Sequence, residues 1–580
     1  MKTKLFLGAL AALGCSVVAA ETHSMDAAPG SQPVALADAE SRCTALPDVL
    51  MNQWPDRTTR VLTAVWHPAG TPLQTPFGPP SALPAHCELT AVMQERTGQD
   101  GQHYAVHFRV RLPQHWNGRF LFEGGGGTEG DLGQAVGMTG GATPRAIDSG
   151  FAVVAQDAGH DNRQNNDPKR GGTVAFGFDP GARADYGGAS LEPVAVAAKA
   201  AIASYYGHPP EHSYFYGCSK GGQEGMAFAQ RYPEVFDGIV AGAPGFSLPR
   251  AALAEAWDTQ AFASLVSHGA DLDARTLPSS FSDAQFALLR EAVLDACDAD
   301  DGVRDGITSA VGSCTWRKLA PQLNRRRCDG GSTAACLSAA QIGVLQRVLG
   351  GPKDSHGASL YSDWPIDAGL GSAGWRSWKI GPAGSSFPGI NVAMGAPALA
   401  VIFTTLPTAL DADPQSALNY ALRFDFDKDA PKIYATGGVF TRSAWTDISA
   451  RSPHLERFRS HGGKLIVPQG ASDPVFSLND TLAWYRELNA IEHGHAAAFA
   501  RVFPVPGMAH CAGGPATDQF DALGALVDWV ERGVAPERIL ASAGPASPWP
   551  GRTRPLCAYP KTARYSGAGS IEDAGNFRCE

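Results

Sequence analysis

The pentapeptide Gly217-Cys218-Ser219-Lys220-Gly221 constrains the fold more than any other part of the sequence. It has the spacing G-x-S-x-G and lies directly between a strand-like run, Ser213-Tyr214-Phe215-Tyr216, and a helical run from Gly222 to Tyr232 that ends near Pro233. A serine at such a turn needs a strained backbone, which small flanking residues permit, and the N-terminus of the following helix favours negative charge beside its hydroxyl. The spacing alone is weak in a chain with 66 glycines, so the strand and helix around it carry the weight.

A strand feeding a helix through one turn implies an α/β sheet, and the neighbouring runs agree. Tyr104 to Leu112 alternates apolar and polar side chains, and Arg119-Phe120-Leu121-Phe122 runs into the glycines Gly124 to Gly127. Phe151 to Ala155 is wholly apolar, and Pro193 to Tyr206 is Ala-rich and helical. The rhythm resumes with strands at Lys464 to Pro468 and Ala500 to Pro504, then an amphipathic helix from about Asp518 to Arg532. Between these stretches, residues 248–450 hold four cysteines, aspartate-rich turns and much Trp, Gly and Pro, with no βαβ rhythm. The expected organisation is one α/β unit built from residues 21–247 and 451–580, with 248–450 inserted as a lid domain. A length of 580 residues, about twice what one core organises, fits that division.

With 44% hydrophobic and 18% charged residues the chain can bury a large core. Its 47 basic and 57 acidic residues give a net charge of -10 without long runs of either sign, which excludes a phosphate-tracking surface and so nucleic acid as partner. Eleven cysteines are many for a reduced compartment. Residues 1–20 read as a cleaved secretory signal: Lys2 and Lys4, an apolar Leu5 to Leu13, and small residues Val18-Ala19-Ala20 before Glu21. Cys15 would leave with it, although Leu13-Gly14-Cys15 keeps a lipoprotein alternative open. Ten cysteines then remain, an even number that favours disulfides over metal thiolates in a secreted or periplasmic protein. No later run has about 18 uninterrupted apolar residues, so no membrane association is expected after cleavage.

A nucleophilic serine needs a base, and the base an orienting carboxylate, in the chain order Ser, Asp/Glu, His for this topology. Asp473, in Gly470-Ala471-Ser472-Asp473-Pro474, follows one predicted strand, and His510, in Gly507-Met508-Ala509-His510-Cys511, follows the next. Alone, Asp473 reads equally as a turn-initiating Asp-Pro and His510 as one loop histidine of 16; their order after Ser219 favours a triad. Cys218 precedes the serine and Cys511 follows the histidine. If Ser219 and His510 meet, these neighbours fall within the roughly 4.4–6.8 Å that a disulfide spans between Cα atoms.

The run Tyr216 to Gly225, the segment Phe236-Asp237-Gly238-Ile239-Val240-Ala241-Gly242-Ala243-Pro244 and the Cys-Ser with His-Cys pairing resemble the tannase/feruloyl esterase family of α/β-hydrolases. Gly159-His160-Asp161-Asn162, Phe424 to Asp427 and Thr553 to Cys557 extend the resemblance over nearly the whole mature chain. It implies an α/β-hydrolase fold with a large inserted lid, and a carboxylic ester hydrolase with Ser219 as nucleophile, His510 as base and Asp473 as its orienter. The N–H groups of Gly127 and Lys220 would form the oxyanion hole, with no role required of the Lys220 charge. Trp378, Phe476 and Gln469 would contact substrate. The resemblance pairs Cys43 with Cys87, Cys297 with Cys314, Cys328 with Cys336 and Cys557 with Cys579, and it implies structural calcium at Asp298, Asp301 and Asp305 with the carbonyls of Val303 and Ile307. No organic cofactor and a monomer are expected.

The expected substrate is a small ester of an aromatic acid, first a terephthalate monoester, with feruloyl or gallate esters as rivals. The family member that the chain resembles most holds its substrate's free carboxylate with a lid arginine and covers the ring with a lid phenylalanine. The matching positions here are Val392 and Ala396, which can do neither, and Gln469 stands where a histidine is expected. Arg376, Lys379 or Arg442 could supply the missing charge. A peptidase or thioesterase on the same scaffold, and a secreted binding protein that has lost activity, are the other classes; the latter would have lost a triad residue, and none is lost.

Overall fold

In a computed structural model, residues 34–35, 38–73, 81–140, 144–266, 272–330 and 333–580 are described; residues 1–20, expected as a signal and including Cys15, lie outside this set. A nine-stranded sheet organises the chain. Its strands are β1 (Arg60–His67), β2 (His86–Thr97), β3 (His103–Pro113), β4 (Arg119–Glu123), β5 (Ala152–Gln156), β6 (His212–Cys218), β7 (Gly238–Gly242), β8 (Lys464–Gly470) and β9 (Ala500–Val505). Their spatial order is β9-β8-β7-β6-β4-β5-β3-β2-β1. β5, β4, β6, β7, β8 and β9 run parallel to their neighbours, while β1, β2 and β3 form an antiparallel wing joined to β5.

The parallel strands are apolar on both faces because both are covered. Phe120, Phe122, Phe215, Ile239, Leu465 and Val467 pack into one core, beneath α1 (Leu191–Tyr206) and α2 (Lys220–Arg231). The alternate residues Leu121, Val153, Tyr214, Val240 and Ile466 pack into a second core on the other face. Phe215 is 0% exposed and meets Phe122, Phe228 and Phe236. Its truncation to alanine is expected to cost about 3–5 kcal/mol.

The chain leaves the sheet after Gly242 and rejoins it at Lys464, between adjacent parallel strands. Most of the intervening helices, among them α3 (Leu248–Ala263), α4 (Asp283–Cys297) and α5 (Ala373–Lys379), share a third core that also takes in Val475 and Phe476. All five disulfides form with the expected partners: Cys43–Cys87, Cys218–Cys511, Cys297–Cys314, Cys328–Cys336 and Cys557–Cys579.

Sequence periodicity finds the central strands and β3 to within two residues but misses β1, β2 and β7. β7 is five residues long and wholly buried, so it lacks the alternation that marks a half-buried strand. The last amphipathic helix starts later than expected, at Ala522, because Gln519–Phe520 pairs as a strand and the Asp521 side chain caps the helix by accepting from Gly524 N–H.

Candidate active site

β6 ends at Cys218 and α2 begins at Lys220, leaving Ser219 alone at the turn with φ 67° and ψ -121°. A left-handed serine costs on the order of 1–3 kcal/mol and persists only when its surroundings over-determine it. Here Ser219 N–H donates to Gly242 O at 3.1 Å, while its carbonyl accepts from Gln223 N–H and Gly245 N–H, each at 3.0 Å. The two outer glycines of the motif permit close approach. A Cβ at Gly217 would lie 2.6 Å from the Gly221 backbone, and one at Gly221 would lie 2.8 Å from Gly125 O.

Asp473 and His510 come together from loops after β8 and β9. His510 Nδ1 lies 2.9 Å from Asp473 Oδ2, and the other carboxylate oxygen accepts from Val475 N–H at 2.8 Å and Phe476 N–H at 3.1 Å. The Asp473 side chain is fully buried, so these bonds fix its orientation and leave it one way to hold the imidazole. His510 Nε2 is buried with no hydrogen-bond partner, so it is not bonded to the Ser219 hydroxyl in this arrangement or to any other group. The Cys218–Cys511 bridge brings the residues flanking Ser219 and His510 to a Cα separation of 6.2 Å. Trp378 and Phe476 stand edge-on to the His510 ring, at centroid distances of 5.3 and 5.4 Å.

The glycine loop after β4 lies against the start of α2, where Gly221 N–H donates to Gly125 O at 3.0 Å. Lys220, first residue of α2, has an N–H without an intrahelical acceptor. Gly127 has φ 59°, and its carbonyl accepts from the Tyr186 hydroxyl at 3.1 Å. Proline cannot adopt that φ, so Gly127→Pro would distort the loop besides deleting the N–H.

On the lid side the expectations need correction. Val392 and Ala396 are buried in the lid core, turned away from solvent with Trp375 and Phe476 among their cluster. The residue of this turn that reaches the glycine loop is Met394, whose Sδ is 3.5 Å from where a Cβ on Gly127 would sit. The turn is a π-helical stretch, Asn391–Gly395. Each of the three cations already has a partner within the chain. Arg376 donates to Phe281 O and Pro278 O, each at 2.8 Å; Lys379 is buried against Asp258; and Arg442 binds Asp447 at 2.7 Å. Gln469 is fully buried and donates to Phe476 O at 2.8 Å, which braces the aromatic, while its Oε1 has no hydrogen-bond partner.

In the aspartate loop, Asp298 and Asp301 are 7% and 1% exposed, and neither is ion-paired among the described residues; Asp305 is bound by Arg554. Burial raises the pKa of both free carboxyls, that of Asp301 up to about 6 despite the Ser309 N–H bond that opposes it. Two buried oxygen donors without a counter-charge fit a hard cation. A second group, His67, His86 and Glu88, also has ligand atoms within 4.8 Å of one another. There the Arg111 guanidinium already occupies the centre, 2.5 Å from His86 Nε2 and 2.6 Å from Glu88, which rules out a cation in the same place. Among the described residues no helix is long and apolar enough to cross a membrane.

Known proteins resemble the chain throughout this architecture. A family model described as tannase and feruloyl esterase matches residues 87–580. Mono(2-hydroxyethyl) terephthalate hydrolase of Piscinibacter sakaiensis is 44% identical over 547 residues, covering 91% of this chain and 89% of that one. A probable feruloyl esterase of Arthroderma benhamiae is 30% identical and covers 81% of each chain. The crystal structure of feruloyl esterase B from Aspergillus oryzae superposes with a TM-score of 0.69 over 93% of this chain and 100% of that one, at 23% identity. A likeness at that identity establishes the fold, an α/β-hydrolase-like sheet and its helices. The family match runs from Cys87 to the last residue and so takes in the serine turn, the lid and the histidine loop alike: the chain belongs to the tannase and feruloyl esterase family, as an ester hydrolase.

Proposed function

We propose that the protein is an exported serine carboxylic-ester hydrolase that cleaves esters of aromatic acids through an acyl-enzyme. The observation that carries this reading is the His510 ring, bonded to buried Asp473 through Nδ1, free at Nε2 and flanked by Trp378 and Phe476. His510 takes the Ser219 proton as the hydroxyl attacks the ester carbonyl. The Gly127 and Lys220 N–H groups hold the developing oxyanion, and the imidazolium returns its proton to the leaving alcohol. Water, activated by the same histidine, then releases the acid. The two aromatics give the acid's ring an apolar surface beside the scissile bond.

Within this class the first reading is a terephthalate monoester, by similarity to the Piscinibacter enzyme. A feruloyl- or gallate-type ester is the second, favoured by the engagement of Arg376, Lys379 and Arg442 elsewhere, which leaves a distal carboxylate unpaired. The test is kcat/KM on mono(2-hydroxyethyl) terephthalate, methyl ferulate and methyl gallate. Higher efficiency on either phenolic ester overturns the terephthalate reading; turnover of none of them, or turnover that survives Ser219→Ala, overturns the proposal as a whole. Calcium, held by Asp298, Asp301 and Asp305 with the carbonyls of Val303 and Ile307, would stabilise the aspartate loop and take no part in the chemistry. Export is supported by the signal-like residues 1–20 and by five disulfides, which persist in oxidising compartments.

A further inference from the structure

Lys220 contributes more to this site than a backbone N–H. Its side chain is 0% exposed, with Nζ 2.9 Å from Glu129 and 3.2 Å from Glu224, themselves 2% and 1% exposed. The ammonium also sits 4.7 Å from the centre of the Tyr186 ring. Burial alone would push its pKa down, but the two carboxylates outweigh burial and raise it, so the charge is kept.

Each member of this cluster grips the glycine loop. Glu224 Oε2 accepts from Gly125 N–H at 3.0 Å. The Glu129 carboxyl lies under Gly125, 2.5 Å from where a Cβ would sit, and Glu129 N–H donates to Gly126 O at 3.0 Å. Glu129 itself has φ 50°, a left-handed conformation that turns its side chain back beneath the loop. Tyr186, under the ammonium, holds the Gly127 carbonyl. Gly125, Gly126 and Gly127 are thus all held by groups that Lys220 touches.

A buried ion cluster is weak evidence for stability, since apolar side chains of similar volume often serve as well; its better-attested use is to select one arrangement. We propose that the Lys220 side chain is a positioning residue for the oxyanion hole: by binding Glu129 and Glu224 beneath the glycine loop, it fixes the Gly127 N–H relative to its own N–H. This inference rests on the esterase reading of Ser219 given above. It replaces the expectation that the lysine charge is immaterial.

The cluster also has a charge state that changes with pH. Burial first, and then the neighbouring Glu224 charge, push the Glu129 carboxyl up to about 8, against the pull of Lys220. The other titratable groups facing it are Glu224 and Lys220 from α2, Tyr186, and His160 from the loop after β5; burial lowers His160 to about 4, so it is neutral. Above about pH 8, Glu129 loses its proton and one more negative charge appears behind the loop where the oxyanion forms, so kcat should fall.

The experiment compares wild type, Lys220→Met, Glu129→Gln and Ser219→Ala on 4-nitrophenyl benzoate, with phenylboronic acid as a mimic of the tetrahedral state. Lys220→Met should lower kcat by about 10- to 100-fold, leave KM within about threefold, and weaken boronate inhibition in proportion to kcat. Glu129→Gln cannot ionise and should lose the fall in kcat between pH 7 and pH 9, read as a ratio within each variant. A Lys220→Met enzyme with kcat and boronate affinity within twofold of wild type overturns the proposal. Should Lys220→Met give no cooperative melting transition, the Glu129→Gln ratio decides, and an alkaline fall equal to that of wild type overturns it. Wild-type protein without Ser219-dependent turnover would instead overturn the esterase reading, a result distinguishable from failure of this one.

Discussion

The sheet side and the lid side of the candidate site are built on different principles. On the sheet side, Ser219, Asp473 and His510 follow the ends of β6, β8 and β9, parallel strands of one sheet, and the backbone ladder and a disulfide place them before most side chains are chosen. On the lid side, Trp378 and Phe476 are placed by side-chain packing in a separate core, and Met394 by a π-helical turn. The first arrangement is set by topology and tolerates little change. The second can be repacked, which is where a family of esterases can vary its acids while keeping its chemistry.

That contrast can be broken most directly on the sheet side. Ser219→Ala is expected to lower kcat by at least about 10⁴-fold on any accepted ester, and to abolish fluorophosphonate labelling, with an unchanged melting temperature. Asp473→Asn should cost about 10³–10⁴-fold in kcat, because the amide favours the wrong tautomer of His510 while Val475 and Phe476 still hold the loop. A lid variant with an effect of this size on kcat alone would erase the distinction.

On the lid side, Val392→Arg is the sharpest test. If this position faced substrate, an arginine would raise kcat/KM for the terephthalate monoester; from its place in the lid core, it should instead destabilise the fold by about 3–5 kcal/mol in denaturant unfolding. Met394→Ala should change kcat/KM by a smaller factor, about 3- to 10-fold, and differently for different acids, since it removes apolar contact next to Gly127 without touching the triad. Chelating calcium should have the smallest effect on chemistry: a lower melting temperature by calorimetry, with kcat at 25 °C within about twofold.

The difference between the two sides also decides what was legible in the sequence. Strand ends, the strained serine and the order of elements follow from local rules, so the serine turn and the Asp473–His510 pair were legible from spacing. The Cys218–Cys511 pair followed from adjacency to Ser219 and His510. Met394 could not be found, because it belongs to no motif and only the fold brings its π-helical turn against the glycine loop. Arg376, Lys379 and Arg442 looked available because their partners, Phe281, Asp258 and Asp447, lie on other elements. Glu129 and Glu224 went unnoticed for a related reason. One follows a glycine loop and the other sits in a helix, and only the fold brings both to one lysine. The one available signal was a lysine directly after the nucleophile, at the first turn of a helix, where a cation opposes the helix dipole and needs a reason to be there.

The Cys218–Cys511 bridge has a consequence for how the molecule meets proteases. It joins residues 293 apart, one before the lid and one after it. A cut at an exposed lid turn, such as that around Ser385, would therefore yield two pieces that still run as one on a non-reducing gel, with serine and histidine still tethered side by side. Surface damage to the lid need not dismantle the machinery beneath it.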